Sequence, residues 1–130
     1  MNVFETSGLT VEPLDPANFV GSGTLVRMLD VCRSPKVNAY RVTFEPGART
    51  AWHTHSGPQL LIVVEGRCRF QRAGMPVSEV ADGGIISIDP GEPHWHGAPA
   101  DSRVVHVAVN IDVSTEWLAQ VTDAEYAGEI

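Results

Sequence analysis

Three histidines and a glutamine stand at spacings that can close on a single cation. His53 and His55 are two positions apart, Gln59 follows four positions later beyond Gly57-Pro58, and His94 ends a second apolar segment that begins at Gly84. On a strand, side chains at i and i+2 point to the same side, so His53 and His55 project together. The turn at Gly57 brings Gln59 in from the adjacent segment, and the Pro90-Gly91 turn can deliver His94 to the same place. Nitrogen and oxygen donors of this kind suit one divalent transition metal: Mn, Fe, Co or Ni, with Zn as a further candidate. Three neutral imidazoles and a neutral amide leave the ion's +2 charge uncompensated. Such a centre acts as a strong Lewis acid and favours an anionic partner such as hydroxide, an alkoxide, an enolate or cyanide. Gln59 has a second reading, as a hydrogen-bonding group beside a three-histidine site.

Further candidates surround these four. His96 lies two positions past His94 and either faces the same mouth or the surface. His106 sits mid-strand among Val104, Ala108 and Asn110 on one face, and is either a satisfied core histidine or a base. A neutral imidazole beside a cation has a lowered pKa and can take a proton near neutral pH. Thr50, which opens the ligand strand, is placed to hold a substrate oxygen. Tyr40, Val42, Phe44, Leu61 and Asn110 alternate onto inward faces and are expected to line the substrate pocket, Tyr40 alternatively capping the barrel. Trp52 and Trp95 alternate with the ligands, so they are expected to pack outward against another layer or subunit.

The elements that must carry these residues are short strands. Apolar runs at 24–30, 38–45, 50–55, 59–65, 67–72, 77–80, 85–89 and 103–111 are separated by Pro-Gly, Gly-Pro, Glu-Gly and Asp-Gly-Gly turn signals. The fold class is therefore all-β. Helical turns are expected only near the end, at 114–118 and 122–127, where Thr122 and Glu125 have capping-box spacing. The 130 residues fit one domain, with an irregular N-terminal arm over 1–22, a barrel over 23–112 and a C-terminal tail over 113–130.

A formal charge of −7 and a pI near 5, without a Lys/Arg cluster, disfavour nucleic acid as a partner. No run approaches the roughly 18 apolar residues of a spanning helix, and residues 1–10 lack a basic start followed by a hydrophobic stretch, so a cytoplasmic protein without a membrane partner is expected. Cys32 and Cys68 read as buried reduced thiols. Apolar strands and an extended arm point to a homodimer or higher homo-oligomer.

The paired segments 47–66 and 84–97 resemble the two motifs of the cupin superfamily, whose members fold as a double-stranded β-helix, or jelly-roll, barrel. That resemblance implies one metal held by the first motif's two histidines and acidic residue together with the second motif's histidine. Gln59 stands where the usual pattern has Glu. Within the superfamily, Thr50, His53, His55, Gln59, His94, His96 and His106 in their local context are similar to small bacterial cupins that act as metal-dependent hydroxynitrile lyases. This implies manganese, cleavage of a cyanohydrin to an aldehyde and cyanide, a proton moved by His106, and Thr50 holding the oxygen. Tyr40 and Asn110 depart from the residues expected in those lyases and reshape the pocket. The alternatives are a metal-dependent dioxygenase and a non-enzymatic metal- or small-molecule-binding cupin.

Overall fold

A computed structural model describes residues 1–129. The strands run β1 (Val11–Pro13), β2 (Phe19–Val20), β3 (Gly23–Arg33), β4 (Lys36–Phe44), β5 (Arg49–Thr50), β6 (His53–His55), β7 (Gln59–Glu65), β8 (Arg67–Arg72), β9 (Ser78–Ala81), β10 (Ile85–Ile88), β11 (His94–Gly97), β12 (Val104–Ile111) and β13 (Thr115–Trp117). A short helix, α1 (Asp123–Ala127), follows. One sheet has the order β1-β3-β4-β12-β7-β10, the other β13-β6-β11-β5-β2, with β8 on β11 and β9 on β8. All pairings are antiparallel, and the two curled sheets form a jelly-roll barrel.

Alternation decides what lies inside. In β7, Gln59, Leu61 and Val63 are buried while Leu60 and Ile62 are half-buried on the other face. In β12, His106, Ala108 and Asn110 are buried, and a register shift at Val105/His106 lets Val104 and Val105 both turn away from water. The apolar floor is made by Leu25, Val42, Phe44, Val63, Cys68 and Val104. Two glycines let the motif segments approach. Gly91 adopts a left-handed φ of 79°, and its N–H donates to His55 O at 2.9 Å, tying the second motif to the first. At Gly97 a Cβ would stand 2.3 Å from Ala48 O, so only glycine lets β11 cross β5 there.

Several expectations are redrawn. The run at 50–55 splits into β5 and β6, because Ala51 N–H donates to Asn18 O and Trp52 N–H to Ala119 O as the chain changes neighbours. The segment 114–118 is not helical: its β-branched and aromatic residues Thr115 and Trp117 form β13 alongside β6. The arm is not irregular throughout, since β1 pairs with β3 and β2 with β5. Cys32 is exposed, on the outlying end of β3, whereas Cys68 is buried and its thiol is pushed up to about 12 by burial. The capping box forms as expected, with Thr122 Oγ1 accepting from Glu125 N and Glu125 Oε1 from Thr122 N.

The tryptophans pack outward, but against this chain's own C-terminal segment. Trp95 is fully buried with Val121 and Tyr126, and its Nε1 donates to Gln71 Oε1 at 3.0 Å. Trp52 is half-buried and donates from Nε1 to Glu125 Oε2 at 3.2 Å. Tyr126 locks this layer by donating to Ala98 O at 2.6 Å while the guanidinium groups of Arg49 and Arg69 lie on its ring.

Candidate metal centre

β6 presents His53 and His55 inward, β7 presents Gln59, and β11 presents His94 and His96; all five side chains are buried. The register His94↔His53 brings the two motifs side by side. Ring centroids lie 4.2 Å apart for His53 and His94, 5.0 Å for His53 and His55, and 5.3 Å for His55 and His94.

The tautomers follow from what each Nδ1 touches. Ala51 O lies 2.8 Å from His53 Nδ1, and Glu92 O lies 2.8 Å from His94 Nδ1. A carbonyl oxygen only accepts, so both rings carry the proton on Nδ1 and expose a lone pair at Nε2. His55 Nδ1 meets the Thr115 hydroxyl at 2.9 Å, leaving a buried Nε2 without a hydrogen-bond partner.

Gln59 lies beside these imidazoles. Its Nε2 donates to Asn110 Oδ1 at 2.7 Å, which fixes the amide so that Oε1 points at His94 Nε2, 3.3 Å away. With the His94 proton on Nδ1, two lone-pair atoms face each other across that gap. The opposite tautomer would set a lone pair against Glu92 O instead. Either way an acceptor faces an acceptor in a buried site, an arrangement that a bound cation would relieve.

His96 stands beside this set. His53, His94 and His96 each offer a ring nitrogen within 4.8 Å of the others, so the tightest trio of nitrogens includes His96 rather than His55. By ring centroids the order reverses, since His96 is 5.4 Å from His53 and 5.9 Å from His94. The ring of His55 is nearer to both partners, while His96 Nδ1 is engaged elsewhere, 2.9 Å from His106 Nε2. Burial is the largest cause lowering the pKa of all five histidines, and it holds His55 and His106 at about 4. At neutral pH the cluster is therefore a set of uncharged donors.

Residues 40–110 match the Cupin domain family, just over half of the chain. The chain belongs to the cupin family. This cupin is 46% identical over 88 residues to an (R)-mandelonitrile lyase of Granulicella tundricola, covering 65% of this chain and 67% of that one. A crystal structure of a cupin-like protein from Thermotoga maritima superposes with a TM-score of 0.81 at 34% identity, covering 97% of this cupin and 95% of that chain. A polyketide cyclase from Streptomyces resistomycificus shares the fold, with a TM-score of 0.71 at 18% identity over 97% of this cupin and 90% of that chain.

A cavity of about 340 Å³ opens onto the cluster and is lined by His53, His55, Gln59 and His96. Of the expected pocket residues, Tyr40, Val42, Phe44 and Asn110 line it, and so does Thr50, expected to hold a substrate oxygen. Leu61 does not: it is fully buried, packs with Ile88 and Ala108, and together with His94 borders a neighbouring cavity of about 310 Å³. His106 is also absent from the cavity wall of this cupin; it is fully buried behind His96, with its ring 5.4 Å from that of Phe44. Thr50 Oγ1 accepts from His96 N at 3.2 Å, which leaves its own proton free to donate. Phe19, Thr115 and Trp117 were not expected here, yet all three line the cavity, Trp117 with its ring 4.8 Å from that of His53. Their signal in the sequence is faint, because β2 and β13 are too short to show a period.

Histidines with lowered folded pKa values make the metal-free protein acid-sensitive. Between about pH 6.5 and about pH 4 the unfolded chain binds more protons than the folded one, so stability present above pH 6.5 is lost as the pH falls. For His106, buried and held at about 4, the loss reaches about 3 kcal/mol. Urea midpoints of chelator-treated protein should therefore drop between pH 7 and pH 4.5. A flat profile would show that these imidazoles protonate without penalty.

Proposed function

We propose that this cupin holds one divalent transition metal through His53, His55, Gln59 and His94, and cleaves a small cyanohydrin to an aldehyde and hydrogen cyanide. Manganese is the first metal to test, as the resemblance to cupin hydroxynitrile lyases implies. The reading is supported above all by a neutral donor cluster backed by the His96/His106 pair, in a chain 46% identical over 88 residues to a protein named (R)-mandelonitrile lyase. When bound, the ion supplies Lewis-acid charge that eases ionisation of a nearby hydroxyl.

The chain's own residues perform the rest. Asn110 holds the Gln59 amide in place. Thr50, with its proton free, donates to the substrate oxygen. His96 Nε2 is buried and without a partner beside the cavity, and it takes the hydroxyl proton. His106 Nε2 stands 2.9 Å behind at His96 Nδ1, where it orients the ring and shares the proton. As the carbon–carbon bond breaks, its electron pair leaves with cyanide, the C–O bond becomes a carbonyl, and the proton returns from His96 to cyanide. Tyr40, Val42 and Phe44 form the wall against the substrate's carbon skeleton.

A cytoplasmic location and a homodimer are part of the same proposal; exposed Val11, Val64 and Ile85 on the outer face of the six-stranded sheet support the dimer. Among the described residues no helix is long and apolar enough to cross a membrane.

The discriminating experiment is mandelonitrile cleavage under argon with metal-loaded and chelator-treated protein. Benzaldehyde release that needs the metal but not oxygen is expected. A protein inert toward cyanohydrins yet consuming oxygen with a phenol or diketone would move it to the dioxygenases, and one inert to both would leave a binding module.

A further inference from the structure

We infer that Thr115 is a positioning residue for His55, and that β13, the edge strand carrying it, completes the metal centre from outside the two motifs. The inference rests on the proposed reading of His55 as a ligand. It starts from a difference among the three histidines. His53 and His94 are each anchored by a carbonyl two positions earlier in their own segment, Ala51 O and Glu92 O. Those anchors come with the strand and admit one tautomer.

His55 has no such carbonyl. Its Nδ1 partner is the Thr115 hydroxyl at 2.9 Å, sixty positions further along the chain. A hydroxyl both donates and accepts, so it holds the ring direction while leaving the tautomer to whatever meets Nε2. That Nε2 is buried and without a partner, so with a cation bound there the ring would keep its proton on Nδ1 and donate it in a hydrogen bond to the Thr115 oxygen.

β13 is built for this placement. Among the described residues it pairs only with β6, in the register Thr115↔His55 and Trp117↔His53, so one strand brings a hydroxyl to one ligand and an indole to the other. Its approach is fixed just upstream, where Ser114 N–H donates to Ser56 Oγ at 2.8 Å and Ser56 N–H to Ser114 O at 3.0 Å. Gly57 permits that contact, since a Cβ there would stand 2.4 Å from Ile111 O. Thr115 and Trp117 both fall beyond residues 40–110 that match the family, so this support belongs to the chain's C-terminal extension of the barrel.

The test is Thr115→Val beside Thr115→Ser, read by Co(II) titration in competition with a chelator, with the visible spectrum reporting the donor set. Valine keeps the β-branched shape that suits β13 and removes only the hydroxyl. Affinity should fall about 10- to 100-fold in Thr115→Val, with an altered Co(II) spectrum and an almost unchanged melting point of the metal-free protein, and Thr115→Ser should restore both readouts. Wild-type affinity in the valine variant, or a serine variant as weak as valine, would overturn the role given to the hydroxyl. If the wild-type protein itself binds no metal, the ligand reading falls first and this inference with it.

Discussion

His96→Ala is expected to lower cyanohydrin turnover by about 10²- to 10⁴-fold, the range for loss of a positioned acid–base group, while leaving metal affinity unchanged. The reasoning is spatial. Two imidazoles stand in line, but only His96 borders the cavity; His106 reaches it through the 2.9 Å contact between His106 Nε2 and His96 Nδ1. His106→Ala should therefore also keep its metal and lose a smaller factor, about 10- to 100-fold, because it leaves a buried His96 nitrogen without its partner. The pH–rate profile separates the two, since without His106 the remaining imidazole titrates alone. Loss of metal from His96→Ala would instead make His96 a ligand, as its place in the tight trio with His53 and His94 permits, and would release His55 from that role.

The fold was legible in the sequence wherever alternation was long enough to read. β7 and β8 lie at 59–65 and 67–72 as the apolar runs indicate, and the Thr122/Glu125 cap forms as its spacing requires. Strands of two or three residues were not legible. β2 and β13 exist because partner strands offer them backbone bonds, and nothing within Phe19–Val20 or Thr115–Trp117 announces that offer. The convergence of the two motif segments was legible from i, i+2 geometry, and the register of β11 against β6 sets His94 beside His53. The order of His96 and His106 was not, because both alternate inward on their strands and only the packing of β11 against β12 decides which one meets the cavity. Leu61 illustrates the same limit: it has the expected face but lies at a depth where Ile88 and Ala108 close over it.

The second large effect concerns the donors themselves. His53→Ala and His94→Ala each remove one Nε2 lone pair that belongs to the donor set whichever of His55 and His96 completes it, the Nδ1 of each being held by Ala51 O or Glu92 O. Each should weaken metal binding by more than about 100-fold, beyond the upper range for loss of a supporting hydrogen bond. Gln59→Ala should have a milder effect on affinity, because an amide oxygen is a weaker donor than imidazole, and it leaves Asn110 Oδ1 without its donor.

The most direct measurement is metal analysis of the purified wild-type protein and of the His53→Ala/His94→Ala double variant after each has been offered Mn(II), Fe(II), Co(II), Ni(II) and Zn(II). About one tightly held ion per chain in the wild type and none in the double variant is the expected result. A wild-type protein that takes up none of these ions, or a double variant that holds them as well, would contradict a metal centre at these histidines.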